Sequence, residues 1–302
     1  MNRPVPEAIS GAISGAVSDA ISDKSQNPDP QPVACAPLGA SAYINAFTGI
    51  LYRELLRFIN QRSRFFSALV RPLVWLAVFA AGFRAALGIS IIAPYETYIT
   101  YEVYIGPGLV AMVLLFNAMQ SSLSMVYDRE MGGMRVLLMS PLPRAYLLLC
   151  RLLASALVSL PQVYAFLAVA WWFGVEPPLL GYLYLLPALI VCALLLGALG
   201  LFISSFIKQL ENFAGVMNFV IFPMFFISSA LYPLWKMQEA SELLYLLCRY
   251  NPFSYCVELI RFSLYGQLNT EALLVVLGCM FGFTALAILA FNPQRGIVKG
   301  KA

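Results

Sequence analysis

Asp128, Glu130 and Arg135 fall within eight residues of one another in YDREMGGMRVLLMSPLPR, residues 127–144, between two long apolar runs. Their chemistry is ionic contact rather than bond making. The chain has no histidine, which removes Ser-His-Asp and Cys-His catalysis, the commonest metal ligand and the usual proton shuttle near neutral pH. Six cysteines (Cys35, Cys150, Cys192, Cys248, Cys256, Cys279) form no CxxC pair and mostly lie in apolar runs, where a thiol packs as a small hydrophobe. Cys248 and Cys256 could pair if both face outward, but eight residues of helix set them about two turns apart. No metal site is indicated. No GxxxxGK[ST] loop is present, and GPG at 106–108 lacks the lysine and hydroxyl that cradle phosphates.

What the quoted segment can do is grip. Residues 127–139 suit a short helix with Asp128 and Glu130 in its first turns and Arg135 further along, the order the helix dipole favours. Gly132 and Gly133 leave bare backbone for a close approach, at some cost to the helix. Pro141 and Pro143 stop it. Met131, Met134, Val136, Leu137 and Leu138 make an apolar face that lipid, the neighbouring spans or another protein must cover. A helix resting on the membrane for topology alone is the plainer alternative.

The elements around it are built for lipid. Hydrophobic residues make up 61% of the chain and charged residues 11%, against roughly half and a quarter in soluble domains. A helix needs about 20 apolar residues to cross the hydrocarbon. Six stretches qualify: 65–86, 104–126, 145–173, 179–207, 213–234 and 272–291. With the amino terminus inside, 13 of the 19 Lys and Arg residues fall on the cytoplasmic side and Arg84, Lys236, Arg249 and Arg261 fall outside, Arg3 and Lys24 being left in the tail. The positive-inside rule therefore puts both termini in the cytoplasm. The fold class is an all-α integral membrane protein of six transmembrane helices.

Three further segments flank the spans. Ile44, Phe47, Ile50, Leu51, Leu55 and Phe58 share helical spacing, with Arg53, Glu54, Arg57 and Arg62 opposite or flanking, so a helix should lie in the interface with its arginines toward headgroups. It is either a simple anchor or a mechanical part. After the fifth span, KMQEASELLYLLCRYNPFSYCVELIRFSLYG is too charged to cross and too apolar for a free loop, and Asn251-Pro252 breaks it. Two extracytoplasmic half-helices fit. Residues 1–41, with ISGAISGAVSDAIS and DKSQNPDPQP, read as a low-complexity disordered tail. Residues 42–302 then form one membrane domain.

Polar positions within the spans suggest a path. Asn117, Gln120, Ser121 and Ser124 share one side of the second span. Asn218, Ser228 and Ser229 lie in the fifth, where Phe222 and Phe226, beside Pro223, offer an aromatic wall. Such residues either face a substrate or join neighbouring helices, and the second is their commoner use.

The order of these segments among six spans resembles the membrane subunit of ABC-2-type exporters of the ATP-binding-cassette superfamily, most specifically in REMGGMRVLLMSPLPR and NPFSYCVELIRFSLYG. The resemblance implies that residues 127–144 hold a coupling helix seated in a separate ATPase subunit. Asp128, Glu130, Gly132, Gly133, Arg135 and Leu138 would be contacts there, joined by Arg53, Glu54 and Arg57 of the interface helix. It implies an outer gate at Asn251, Pro252 and Phe253. It also implies no cofactor in this chain, ATP and Mg2+ on two ATPase copies, a second permease that is either another copy of this chain in a homodimer or a close relative, and a place in the plasma membrane, the bacterial inner membrane. Lipid is a partner and nucleic acid is not.

Two other classes compete with an exporter subunit. An ion-coupled carrier or channel normally keeps ionisable groups deep in its spans, and the middles of spans three to six have none. A membrane-embedded enzyme lacks a recognisable nucleophile and base.

Overall fold

The computed structural model describes residues 39–60, 62–83, 94–95, 100–132, 141–207 and 209–290. Among these residues the chain is helical between turns, with no strand. The helices are α1 (Ala40–Asn60), α2 (Arg62–Phe83), α3 (Tyr101–Glu130), α4 (Arg144–Trp171), α5 (Leu179–Phe206), α6 (Leu210–Phe226), α7 (Leu234–Ala240), α8 (Glu242–Tyr250), α9 (Pro252–Leu264) and α10 (Thr270–Ala290). By contact the chain divides into Met1–Tyr43 and Ile44–Ala302, the membrane helices belonging to the second unit. The expected tail lies almost wholly outside the described residues.

Among the described residues four helices, α3, α4, α5 and α10, are long and apolar enough to cross a membrane, while α2 and α6 carry the shorter apolar stretches Leu69–Val78 and Leu210–Phe226. α3 is the axis. It packs against α2, α4, α5, α6 and α9, and its residues from Tyr104 to Phe116 are all buried. A helix apolar on every side is stable only in such a surrounded position. The outward faces of the surrounding helices carry Val70, Val74, Leu183, Phe219, Leu274 and Leu289, all exposed, as lipid-facing residues should be.

Two approaches require glycine. A Cβ on Gly108 of α3 would lie 2.7 Å from the Ala230 carbonyl oxygen and 2.8 Å from its Cα. At Gly181, on the first turn of α5, it would collide with the Leu264 carbonyl at the end of α9. The GPG motif thus has a packing reason: it lets a non-helical stretch of chain rest on α3.

Three expectations change. The quoted segment does not begin a new helix at Tyr127, because α3 continues to Glu130 and a turn follows at Met131 and Gly132. Asp128 and Glu130 are therefore at the C-terminal end of a span, and Arg129 beside them suits the negative end of the dipole. Residues 133–140, with Gly133, Arg135 and Leu138, lie outside the described residues. The fifth apolar stretch is helical only to Phe226. The following stretch turns at 227–233 and leads into the short helix α7, so three short helices rather than two precede α10.

Candidate functional site

The end of α3 is a junction of charges. Asp128 is buried. Its Oδ1 accepts from Arg57 Nη2 of α1 at 3.2 Å, and its Oδ2 accepts from Arg151 Nη1 of α4 at 3.0 Å. Arg53 stands 3.9 Å from the same carboxylate. Glu54, also buried, pairs with Arg53 at 3.1 Å and with Arg57 at 3.7 Å. Ser124, one turn before Asp128, accepts from Arg57 at 3.2 Å and from Arg151 at 2.8 Å. Three cations and two anions close on each other here. Isolated charges would be expensive in such burial, and each is stable only with its partners.

This geometry corrects one sequence reading. Arg57 and Glu54 point toward the bundle, not to headgroups, because the buried Asp128 carboxylate needs cations. The outward side of α1 is instead apolar, with Ile44, Tyr52, Leu55 and Ile59 exposed.

The next two residues reach the other way. Arg129 Nη1 donates to the carbonyls of Ser204 at 3.1 Å and Ile207 at 3.4 Å, at the C-terminal end of α5. Glu130 Oε2 accepts from the backbone N–H of Leu210 at 3.1 Å, the first residue of α6. A cation thus meets the negative end of one helix dipole and a carboxylate the positive end of the next. Three consecutive side chains join α3 to α1, α4, α5 and α6.

The expected path residues divide between two places. Asn117 and Ser121 line a small cavity of about 40 Å³ together with Glu54, Arg57, Ser159 and Gln162, and Asn117 Nδ2 is buried without a hydrogen-bond partner among the described residues. Gln120 is half-buried beside them in sequence. Ser124 is held by the arginines. Asn218, Phe222 and Phe226 instead lie on the exposed side of α6, and none of them lines that cavity.

α3 is 30 residues long, so its two ends are separated by about 45 Å. At the far end, residues 227–233 run without helix, and Ser228, Ser229, Ala230 and Leu231 are buried. Buried backbone of this kind must find hydrogen bonds from side chains. Tyr101 Oη donates to the Leu231 carbonyl and Tyr104 Oη to that of Ser229, both at 3.0 Å. Arg261 Nη2 also donates to Ser229 O, at 2.9 Å. Asn251 Nδ2 donates to the carbonyls of Met224 at 2.8 Å and Ile227 at 2.6 Å, while its Oδ1 caps α9 through the Phe253 N–H at 3.0 Å. Pro252 occupies the first turn of α9, where a missing N–H costs nothing. Phe253 is buried against Phe225, their ring centroids 6.3 Å apart. The three expected gate residues are therefore a knot that ties α9 to the unwound end of α6.

Arg129, Arg151 and Arg261 entered the sequence reading as charges that set sides and span ends, not as site residues. Arg151 and Arg261 are each 2–3% exposed. A signal was available for Arg151, since a cation seven residues into an apolar helix demands a buried partner. Cys248 and Cys256 are both free and buried, with Cys248 beside Met237 and Cys256 beside Cys192.

A bundle of apolar helices locked at one end by ions and closed at the other around unwound backbone is an integral membrane protein. The family model for the ABC-2 type transporter matches residues 45–265, and the chain belongs to that family, one of membrane transport permeases. It is 27% identical over 275 residues to a protein of Pyropia yezoensis named "Putative transport permease ycf38", covering 85% of this chain and 90% of the relative. Proteins of the same name from Porphyra purpurea and Cyanophora paradoxa are also 27% identical, over 72% and 65% of this chain and 74% and 66% of the relatives.

Proposed function

We propose that the chain is the membrane-spanning subunit of an ATP-driven exporter, moving an apolar or amphiphilic substrate out of the cytoplasm with energy from a separate ATP-binding-cassette subunit. ATP and Mg2+ belong to that partner. The observation that carries the reading is the run Asp128-Arg129-Glu130, which binds the end of α3 to four other helices. A push on the segment that follows, residues 131–144, would be felt at once by α1, α4, α5 and α6. Gly132, Gly133, Arg135 and Leu138 supply the contact surface for the ATPase, and the ion cluster passes its displacement inward.

Two permease copies and two ATPase copies complete the machine, with all of these contacts and both termini on the cytoplasmic side. The exposed face of α6, with Asn218, Phe222 and Phe226, supports a path completed by the second copy. Release at the far end is governed by Asn251, Pro252 and Phe253.

Reconstitution tests the whole reading. Proteoliposomes holding this chain together with its ATPase subunit should accumulate an amphiphilic dye only with Mg-ATP. Transport by the chain alone, driven by a proton or sodium gradient, would replace the exporter by an ion-coupled carrier.

A further inference from the structure

A cavity of about 500 Å³ lies at the far end, between α3, α7, α8, α9 and the start of α10. Ligand pockets are commonly of this size. Nothing in the export mechanism uses it. Its walls are unlike the rest of the bundle, combining charge with aromatic rings.

The charges balance. Arg249, Arg261, Glu258 and Glu271 all line the cavity, two cations and two anions. Arg261 is largely committed: Nη1 to the Glu258 carboxylate, Nη2 to Ser229 O, and its plane 4.1 Å from the centroid of Tyr104. Two buried donors are not committed. Arg261 Nε and Ser254 Oγ have no hydrogen-bond partner among the described residues, although both residues are 3% exposed. Buried donors in that state call for an acceptor. Tyr245 and Tyr255 line the same cavity as the two carboxylates, a combination that attracts an organic ammonium.

The helix that supplies Tyr245, Cys248 and Arg249 to the cavity also carries exposed apolar residues. Leu243, Leu244, Leu246 and Leu247 of α8 are exposed, and so are Trp235 and Tyr250. Aromatic rings with exposed leucines on a short helix mark the level where headgroups begin.

We propose that this cavity binds the headgroup of a zwitterionic phospholipid from the adjacent leaflet. Its phosphate accepts from Arg261 Nε and Ser254 Oγ. Its ammonium sits between Glu258, Glu271 and the tyrosine rings, and its acyl chains follow the leucines of α8. An anionic lipid fits less well, because the wall carries as many carboxylates as guanidinium groups and has no net positive charge to offset it.

The full-length chain, purified in a maltoside detergent, is mixed with equal amounts of phosphatidylcholine, phosphatidylethanolamine and phosphatidylglycerol and examined by native mass spectrometry. One tightly held zwitterionic lipid per chain is expected, with at least fivefold preference over phosphatidylglycerol. Ser254→Ala and Tyr245→Leu should each reduce its occupancy several-fold while leaving the melting temperature of lipid-free protein unchanged, since Ser254 Oγ holds nothing in the fold. Equal retention of phosphatidylglycerol overturns the zwitterion, and unaltered occupancy in both variants overturns the site. Competition by glycerophosphocholine, which lacks acyl chains, at the same concentration as the lipid would make the ligand a solute and overturn the assignment to lipid.

Discussion

Arg129 and Glu130 are neighbours in sequence and hold opposite poles of two successive helices: Arg129 binds the last carbonyls of α5, and Glu130 binds the first N–H of α6. The turn between α5 and α6 is thereby clamped to the end of α3 by two side chains of opposite charge. Each contact is worth about 0.3–1 kcal/mol in stability, so the pair matters more for connection than for folding.

Replacing Glu130 by Ala should therefore leave the protein inserted and monodisperse while lowering transport-coupled ATPase activity several-fold in reconstituted vesicles. Exchanging the two residues, Arg129→Glu with Glu130→Arg, should be worse than either single alanine, because each charge would then face the wrong pole. Full coupling in the exchanged variant would show that the clamp transmits nothing.

Asp128 and Arg151 form the most buried ion pair of the junction, 3.0 Å apart. Removing one partner strands the other, so Asp128→Ala should destabilise by about 3–5 kcal/mol. Pairing Asp128→Asn with Arg151→Met removes both charges and should recover much of that loss. Thermal unfolding in detergent measures both. Arg57 retains Glu54 in both variants, so a double variant no more stable than Asp128→Ala would contradict the pairing.

Asn251 separates two roles by chemistry. Aspartate caps a helix as well as asparagine does, but it cannot donate to the Met224 and Ile227 carbonyls. Asn251→Asp should thus cost roughly 2–3 kcal/mol for carbonyls left without donors, and Asn251→Ala about 1 kcal/mol more, because the cap is lost as well. It should also slow release of cargo while subunit assembly persists. Stability equal to the native chain would reduce Asn251 to a cap.

Gly181→Ala and Gly108→Ala each place a methyl group against backbone that cannot swing aside, and each should lower stability by about 1–3 kcal/mol. Gly278 in α10 has nothing within 4 Å of an added Cβ. Alanine there should be neutral or stabilise by up to about 1 kcal/mol through helix propensity. Melting temperatures of the three variants in one detergent give the comparison.

The far-end knot shows why part of the site was legible and part was not. Asn-Pro announces a helix start in any context, since proline fixes the first turn and asparagine accepts from it. That the same asparagine also feeds two carbonyls of α6 depends on residues 24 and 27 positions earlier in the chain, which no local pattern encodes. Phe222 and Phe226 were equally visible as an aromatic cluster, yet their exposure follows from which side of α6 meets α3.

By itself the sequence determined the medium, the helices and the asymmetry of charge, because apolar runs of 20 residues and the placement of arginine are local properties with a direct energetic meaning. The end of α4, the whole of α5 and the break at Asn251 follow from composition alone. Tertiary structure decided which arginines are buried, that α3 carries its charges on its own last turn, and that α1 turns its acid toward the bundle. The physical reason is desolvation. A buried ion is tolerable only beside a partner from another helix, and the choice of partner is made when the helices pack, not when they form.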